Sequence, residues 1–494
     1  VPADLIYLST EYDLDYYLSL SYEVKSYPRF VEIQVTKPAR VLKKRLEMAR
    51  ENRLLLEAKQ RHYACYMELL QEAALNLFNE YHLEAAKKAS DAALDGTLFT
   101  IEGWLPENKK PALEALLADF LVEAEETPLG RDERVPTYLE NQNLAEVGED
   151  LVKIFDVPST QDKDPSLWVL IFFTLFFAVI ISDAGYGLLL LSLAFFLKLR
   201  FKQPSAFLKR FTKLAFILSL GTVLWGVLTA SYFGLRLAPG NPLQKLSILQ
   251  VLSEKKAGYH LQAQDDVYGI WLKNYPALQE AKTGSEFVAK ALGPDGQSEA
   301  LSEFSRNLLM EFSLLIGVLH IILAFLINWR RNWAGLGWVV FLIGGYLFVP
   351  SLINATSFLH FSGFLTKAAA TLFGLCLLKV SLPLILLLAL VQHRLAGLKE
   401  LINVVGVFSD VLSYLRLYAL ALAGLVLSQT FNGMAAHLSW WLGFWIVFLG
   451  HTVNLLMCIM GGVIHGLRLN FLEWYNHCFE GGGKLFTPLK LIKK

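Results

Sequence analysis

The sequence predicts a mainly α-helical protein, with a polytopic membrane domain that follows a soluble front end of α/β and coiled-coil structure. Hydrophobic residues make up 54% of the 494 residues and charged residues only 18%, whereas soluble domains carry roughly a quarter charged residues. Glu, Lys and Arg are frequent before about residue 166, and long apolar runs follow. Part of the charged region also carries a heptad-like repeat.

The front end, residues 1–166, combines strand-like runs at 29–36 and 98–106 with one long helical pattern. From residue 42 to residue 81, apolar residues recur in steps of four and three, with two interruptions at Arg53 and Gln60. A seam of about 40 residues predicts a coiled-coil arm ~60 Å long, and the alternative is a long helix packed on its own domain. A second helix is predicted at 111–126, because a proline occupies its first turn.

About eight apolar segments are long enough to approach the ~30 Å core of a bilayer. They are 167–181, 184–197, 211–233, 308–329, 333–353, 368–390, 403–431 and 441–479. The first two share the sequence "ISDAGYG" and would span ~46 Å as one helix. We therefore predict a hairpin there, with one long tilted helix as the alternative. Residues 167–479 form the predicted membrane domain, and 480–494 form a tail.

The loops predict the orientation of these segments. Every even-numbered segment is followed by basic residues, such as Lys198 and Arg200, Arg330 and Arg331, or Arg394 and Lys399. The odd-numbered segments are followed by mixed or nearly uncharged loops. The positive-inside rule then places both termini in the cytoplasm. We expect an integral, multi-pass membrane protein.

Composition and motifs argue against several other functions. The formal net charge is +0, so bulk charge supports no binding of nucleic acid. The four cysteines have neither metal-site nor disulfide spacing. The stretch "EGGGKLF" fails as a phosphate loop, because Cys478 stands where the first glycine belongs and Leu485 follows the lysine. We predict no cofactor and no metal site, and a chain that is not an enzyme on its own.

Two arginines lie within apolar runs, Arg416 in "SDVLSYLRLYALALAG" and Arg468 in the last segment. An arginine at the bilayer centre costs roughly 2.5–3.5 kcal/mol on insertion scales. Each lies ~18–20 Å from the predicted cytoplasmic end of its helix, which argues against snorkelling. The two can therefore share a depth on antiparallel neighbours. Since they cannot neutralise each other, they need an anion, a water-filled cavity or a carboxylate from outside the chain.

Other polar residues accompany these arginines. At about 100° per residue, Ser409 and Ser413 share the stripe of Arg416, and Asn454 and His465 share that of Arg468. Asp410 falls on a different face from Arg416, so we expect no ion pair between them. Asp183 either caps the turn between the first two segments or lines a pathway. Lys379 and His320 stand alone in their segments, where packing and functional roles are both open.

Four stretches together resemble one family: "IEGWLP", "SDAGYGLLL", "SDVLSYLRLYALALA" and "GGVIHGLRLNFLEWYNHCFEGGGKLFTPL". They resemble the a-type subunit, also called subunit I, of V/A-type rotary ATPases, and the prokaryotic members in particular. The likeness runs from about residue 98 to the end. It implies a cytoplasmic stator arm and an eight-helix membrane domain beside a rotor ring. The family's key arginine corresponds to Arg416 and its second arginine to Arg468.

The resemblance implies a membrane stator subunit that forms two ion half-channels against the rotor, with Arg416 forcing ion release from rotor carboxylates. Arg416 and Arg468 would carry out translocation. The residues expected to line the half-channels are Ser409, Ser413, Asn454, His465, Glu473 and Asp183. The implied partners are a ring of small carboxylate-bearing membrane subunits, the peripheral stalk and central-stalk collar, and the bilayer of a prokaryotic plasma membrane.

The sequence departs from the family pattern at several positions. Ile402 and Cys458 stand where acidic residues are often found, and Gly424 stands where eukaryotic members carry histidine. Glu400 or Glu473 are the candidate substitutes for the missing acids. The arm also looks short, with much of one globular end and one coil strand missing.

Two alternative functions belong to other classes. A secondary ion transporter predicts inverted repeats with matching broken helices, and only the glycine-interrupted pair at the start fits. A non-conducting scaffold that anchors a coiled coil leaves Arg416, Arg468, Asn454 and His465 without a role. The choice between H⁺ and Na⁺, and between ATP synthesis and hydrolysis, stays open at this point.

Overall fold

A computed structural model describes residues 5–11, 14–20, 22, 27, 31, 38–64, 66–93, 98–130, 133–235, 241–293 and 296–492. The chain divides into two compact units, residues 1–103 with 488–494, and residues 104–487. Apart from Val31, the strand-like run predicted at 29–36 lies outside the described residues. The division into arm, membrane domain and tail stays a prediction about function.

The first unit contains two hairpins and two helices. Strands β1 (Leu5–Glu11) and β2 (Leu14–Ser19) pair antiparallel, as do β3 (Asp91–Ala93) and β4 (Leu98–Thr100). The long helical pattern forms α1 (Ala39–Ala64) and α2 (Met67–Lys88). Neither helix buries a residue, so the apolar seam is unpartnered in the described part of this unit. An exposed seam is typical of a coiled-coil strand awaiting a partner.

The second unit begins with short elements: α3 (Lys110–Leu117), β5 (Pro136–Thr137) and α4 (Ala145–Phe155). The prediction of a helix over 111–126 was too long, because α3 ends at Leu117. That helix buries no residue, and an isolated helix this short is marginal without tertiary packing. The strand predicted over 98–106 is likewise limited to β4.

The rest of this unit is a helical bundle with a small helical layer inserted between α7 and α12. The first three helices of the bundle are α5 (Ser166–Ile181), α6 (Ala184–Arg200) and α7 (Ala206–Thr229). The inserted layer consists of α8 (Pro242–Lys245), α9 (Ile248–Ala263), α10 (Asp266–Asn274) and α11 (Gly284–Lys290). The chain then continues with α12 (Glu299–Ile327), α13 (Ala334–Leu352), α14 (Phe358–Phe361), α15 (Lys367–His393), α16 (Asn403–Ser413), α17 (Leu415–Ala436), α18 (Trp440–Arg468) and α19 (Asn476–Cys478). A 3₁₀ segment covers Arg394–Leu401, a π-helical turn covers Leu469–Tyr475, and β6 covers Lys484–Leu485.

All eight predicted apolar segments are helical, and the mainly α fold class is confirmed. Among the described residues, six helices are long and apolar enough to cross a membrane, which makes the chain an integral membrane protein. The other two, α5 and α6, have 16 and 17 residues and are shorter than a full crossing requires. Ten residues of α5 are buried. A helix that is apolar on every side and short is typical of a protein core.

The predicted hairpin between α5 and α6 is confirmed. Ser182 breaks the helix with a φ of 46°, and the Asp183 side chain accepts a hydrogen bond from the Tyr186 amide to begin α6. Helix α7 packs against both helices of this hairpin: its Gly221 faces Thr174 of α5, and its Gly226 faces Ala184 of α6. Helix α5 therefore runs parallel to α7 and α6 runs antiparallel to it, so the two do not form one long helix.

The chain enters and leaves the bundle at the same end. Arg331 Nη1 contacts Asp162 Oδ1 at 2.6 Å, and strands β5 and β6 pair in parallel there. The glycines of "EGGGK" anchor the segment after α18, because the Gly482 amide donates to Asp156 Oδ2 at 2.8 Å. These amides hold carboxylates of the chain itself. Which side of the membrane this end faces stays a prediction.

The inserted helical layer lies at the opposite end of the bundle. Its own core contains Trp271, Leu278 and Phe287, which pack with Phe304 at the start of α12. Side chains of Ser247, Asp265 and Thr283 accept hydrogen bonds from the first turns of α9, α10 and α11, as N-cap residues do. Because α12 runs from this layer to the Arg331 end, it spans the bundle.

Candidate arginine site in the membrane domain

Arg416 lies in the first turn of α17, directly after a helix interruption. Tyr414 separates α16 from α17, and its ring is fully buried. Its hydroxyl contacts His320 Nδ1 at 2.7 Å. Gly317 of α12 leaves the space for this ring, because a Cβ there would come within 2.6 Å of Tyr414 Cγ. Because Tyr414 is fixed by this packing, Arg416, two residues further along the chain, is positioned as well. His320 thereby has a hydrogen-bond partner, Tyr414, that the sequence did not indicate.

Arg468 is the last α-helical residue of α18 and adjoins the π-helical turn Leu469–Tyr475. In an α-helix, residues five positions apart point about 140° away from each other. In a π-helix, hydrogen bonds run from i to i+5, so the fifth residue returns close to the same face. The turn therefore brings Glu473 beneath Arg468, and such turns are frequent at functional sites.

Glu473 stands between the two arginines. Its Oε1 lies 3.8 Å from Arg416 Nη1 and 3.6 Å from Arg468 Nε. The Glu473 side chain is only 4% exposed, against 25% for Arg416 and 50% for Arg468. Arg416 Nη1 and Glu473 Oε2 are buried and form no hydrogen bond within the described chain. One carboxylate thus faces two guanidiniums and leaves a positive charge uncompensated between them.

This arrangement corrects one expectation from the sequence. We expected the positive charges of the two arginines to be compensated by an anion, by water or by a carboxylate from another chain. The structure instead places the carboxylate of Glu473, from the same chain, beside both guanidiniums. Helical-wheel arithmetic at 100° per residue missed the pair, because it assumes an uninterrupted α-helix. No sequence signal of the π-helical turn was recognised. Glu400 lies elsewhere, bonded to Asn332, Trp338 and Asn403.

The remaining residues predicted near Arg416 divide into those close to the site and those apart from it. His465 lies within electrostatic reach of both guanidiniums, and its Nδ1 is buried without a hydrogen-bond partner in the described chain. Ser413 donates to the Ser409 carbonyl of its own helix at 3.1 Å. Asp410 pairs with His477 at 2.7 Å, in agreement with the expectation that it does not pair with Arg416.

Both arginines lie on exposed faces that are otherwise apolar or small. On α16 and α17, exposed positions recur at Val405, Ser409, Leu412, Ala419, Ala423 and Val426, in register with Arg416. On α18, the exposed positions Val453, Met457, Met460 and Ile464 lead to Arg468. Spacings of three and four place each set on one helix face. An apolar face that carries a guanidinium is available to a membrane-embedded partner.

A second polar cluster lies in the half of the bundle away from the Arg331 end. Tyr186 Oη contacts His451 Nδ1 at 2.6 Å, and Asn454 Nδ2 donates to the same Tyr186 oxygen at 3.0 Å. His451 Nε2 contacts Asn432 Oδ1 at 3.0 Å, and Asn432 Nδ2 donates to the Phe233 carbonyl at 2.8 Å. This outer cluster joins α6, α17 and α18 through side chains that accept and donate hydrogen bonds.

The structure separates Asn454 and Asp183 from the arginines. Asn454 is buried, and its amide also donates to the Gly424 carbonyl at 2.9 Å, so it belongs to the outer cluster. Asp183 caps α6 and accepts further bonds from Ser231 Oγ and the Gly234 amide at 3.0 and 3.1 Å. Sequence analysis missed Tyr186, His451 and Asn432, because they become neighbours only through the packing of three helices.

Known proteins resemble this chain along most of its length. Residues 45–236 match the model of the V-type ATPase 116kDa subunit family. The V-type ATP synthase subunit I of Chlamydia pneumoniae is 38% identical over 99% of this chain and 75% of its own length. That of Chlamydia trachomatis is 39% identical over 99% of this chain and 76% of its own length. This chain belongs to the V-type ATPase subunit I family.

The family extends to archaea. The A-type ATP synthase subunit I of Methanocaldococcus jannaschii is 25% identical over 85% of this chain and 60% of its own length. The resemblance inferred from the arginine-bearing segments is thereby confirmed. With the six long apolar helices of its described residues, this member of the family is an integral membrane subunit of a V/A-type ATPase complex.

Proposed function

We propose that this subunit I is the membrane stator of a V/A-type rotary ATP synthase and that its arginine site drives ion release. Its partners are then a rotor ring of small membrane subunits with carboxylates, and the stalk subunits contacted by the cytoplasmic arm. The proposed location is a prokaryotic plasma membrane, with both termini in the cytoplasm as the basic loops predict. The subunit itself carries no nucleotide chemistry in this proposal.

The observation that carries the proposal is the pair of guanidiniums that share one buried carboxylate, Glu473, on exposed apolar faces. A guanidinium remains protonated at any physiological pH. An arriving rotor carboxylic acid meets uncompensated positive charge, which favours its ionised form and lowers its pKa. The acid then releases its proton, or a carboxylate releases a bound cation, before it passes Arg416. The charge also opposes the leakage of cations between the two sides.

Glu473 has a distinct role in this mechanism. Between the arrivals of rotor carboxylates, it is the only acidic side chain in the described residues that forms an ion pair with Arg416 or Arg468. Its contacts of 3.6–3.8 Å lie beyond hydrogen-bonding distance. A weakly held counter-ion reduces the cost of the buried charge. It still leaves Arg416 free to attract the next carboxylate.

Two polar regions lie on either side of the arginines and are the proposed half-channels. The outer cluster of Tyr186, His451, Asn432 and Asn454 leads toward the inserted helical layer. On the other side, Asp410 and His477 lie toward the Arg331 end, where Asn328 donates to the His477 carbonyl at 3.2 Å. Because neither region crosses the whole bundle, an ion must ride the rotor between them. Ser409, Ser413 and His465 are proposed to line the passage beside Arg416.

The test is ATP-driven ion uptake by sealed vesicles that contain the complex with Arg416→Lys. Lysine keeps the charge but loses the planar fork of donors. We expect assembly to be retained and uptake to fall at least tenfold. The matched control is Arg330→Lys, at an exposed position at the end of the bundle, which should support normal uptake. Normal uptake by the Arg416→Lys complex would refute the proposal and favour a non-conducting scaffold.

A further inference from the structure

A cavity of about 430 Å³ lies between α9, α12, α13 and α16, and neither arginine lines it. Its volume falls within the range of about 300–1,000 Å³ that is typical of ligand sites. Lys256, His260 and Thr356 line one end, and Val318, Phe341 and Leu412 line the other. The cavity is thus polar beside the inserted helical layer and apolar toward the middle of the bundle. Apart from Leu412, which also lies on the exposed face of Arg416, its lining residues belong neither to the arginine site nor to the outer cluster.

Lys256 is the unusual residue of this cavity. It is only 6% exposed, and the described residues provide no hydrogen bond or ion pair to its ammonium group. The nearest aromatic ring is that of Phe304, whose centroid lies 5.8 Å from Lys256 Nζ. Burial lowers the pKa of Lys256, and Glu311 and Glu303 only partly oppose that effect. A buried cation without a partner is costly unless an anion compensates it.

Two of the ionisable neighbours of Lys256, Glu311 and His260, already have partners. Glu311 Oε1 accepts bonds from Tyr346 Oη at 3.2 Å and from the Phe358 amide at 2.7 Å. His260 contacts Asp265 through Nδ1 at 2.6 Å and Thr356 through Nε2 at 3.2 Å. Lys256 is the buried cationic group at this end, and no described residue accepts a hydrogen bond from its ammonium group.

The length of the cavity matches one leaflet of a bilayer. Along α12 its lining runs from Glu303 to Val318, which corresponds to ~22 Å of helix. Half of a hydrocarbon core together with its headgroup region measures about 20–22 Å. The polar end of the cavity lies beside the inserted helical layer, and its apolar end lies at the middle of the bundle. A lipid in the outer leaflet would place its headgroup and its acyl chains in the same order.

We infer that this cavity binds one anionic phospholipid, with its phosphate at the Lys256 ammonium and one acyl chain along α12 toward Leu412. The apolar inner wall excludes a hydrophilic anion from that end. A neutral acyl chain alone would leave the Lys256 charge uncompensated. The lipid would hold the inserted helical layer against the bundle, because its two ends contact both parts.

Two variants with matched controls test the site. Lys256→Gln removes the charge, and its control Lys255→Gln changes the exposed neighbour. Gly345→Leu fills the cavity, because a Cβ at Gly345 meets no atom within 4 Å. Its control, Gly433→Leu, is equally open but lies outside the cavity.

The measurement is native mass spectrometry of the full chain, released from the complex after reconstitution in phosphatidylcholine vesicles with one quarter phosphatidylglycerol. We expect one phosphatidylglycerol per wild-type chain, and at least a tenfold loss in Lys256→Gln and Gly345→Leu but not in the controls. Equal retention by Lys256→Gln and Lys255→Gln would overturn the inference. So would rapid reaction of Val318→Cys with a charged thiol reagent, since that result would show a water-filled cavity. Neither result would bear on Arg416.

Discussion

At the scale of single residues, the arginine site depends on an imbalance of charge. Arg416 and Arg468 share Glu473, and the contacts are ion pairs without hydrogen bonds. A perfectly matched pair would hold Arg416 in place and leave no charge for a passing carboxylate. An uncompensated pair of guanidiniums would be too costly in an apolar surrounding. A single weakly held carboxylate meets both requirements.

Replacing Glu473 should therefore impair transport. We expect Glu473→Gln to reduce ATP-driven uptake at least tenfold, because two uncompensated guanidiniums would retain the rotor carboxylate too tightly. The complex should still assemble, since glutamine keeps the shape of the side chain. The control is Glu280→Gln, whose side chain is 83% exposed. If Glu473→Gln transports as well as this control, Glu473 is not the counter-ion that we propose.

At the scale of secondary-structure elements, glycines set how closely the helices approach. A Cβ at Gly226 of α7 would lie 2.1 Å from the backbone nitrogen of Ala184, and the backbone there is held by a bond from Ala184 to the Ser231 carbonyl. Since the atoms around this Cβ position belong to the backbone and not to a flexible side chain, helices α6 and α7 must move apart to accept a larger residue at position 226.

We therefore expect Gly226→Ala to destabilise the chain by about 1–3 kcal/mol or more, as overpacking does. Gly433→Ala is the matched control, because a Cβ at Gly433 meets no atom within 4 Å and alanine favours a helix by about 0.8–1.0 kcal/mol. The midpoint of thermal aggregation in detergent measures both variants. A Gly226→Ala midpoint at or above that of the control would contradict this account of α6–α7 packing.

The inserted helical layer should lose stability in acid. Burial lowers the pKa of His260, although its bond to Asp265 partly opposes the shift and nearby Lys256 reinforces it. The unfolded state then binds a proton first as the pH falls below the usual histidine value of about 6.5. The contribution of His260 to stability is complete above that pH and is lost below it. Burial also lowers the pKa of His360, in the adjacent helix α14, which acts in the same direction.

Hydrogen exchange of α9 and α10, corrected for intrinsic rates, measures this effect. We expect weaker protection at pH 5.5 than at pH 7.5 in the wild-type chain. His260→Gln should reduce the difference, and the additional change His360→Gln should remove most of it. An unchanged pH dependence in the double variant would show that other groups are responsible.

At the scale of the whole molecule, the ion pair between Arg331 and Asp162 and the pairing of β5 with β6 place both ends of the helical unit together. The basic loops predict that this end faces the cytoplasm. In a cysteine-free background, we expect Arg330→Cys to react with an impermeant maleimide only in inside-out vesicles. Lys273→Cys, in the inserted layer, should react only in right-side-out vesicles. The opposite labelling pattern would reverse the proposed orientation.

The sequence by itself determined the helical segments, the hairpin at Asp183, the two arginines and the shared end of the chain. These features follow from local hydropathy, helix-breaking residues and loop charge, which a sequence displays without knowledge of its neighbours. The sequence also showed the likeness to subunit I, through stretches around Arg416 and Arg468. It could not show that α5 is a core helix, since burial depends on the helices that surround it.

Only the tertiary structure decided how the charged and polar side chains meet. Glu473 reaches both arginines because the chain forms a π-helical turn, which changes the angular position of every later residue. Tyr186 meets His451 and Asn454 across more than 260 residues, and Lys256 lies in a cavity formed by four helices. Contacts between distant segments depend on packing geometry, and helical periodicity within one segment cannot specify them.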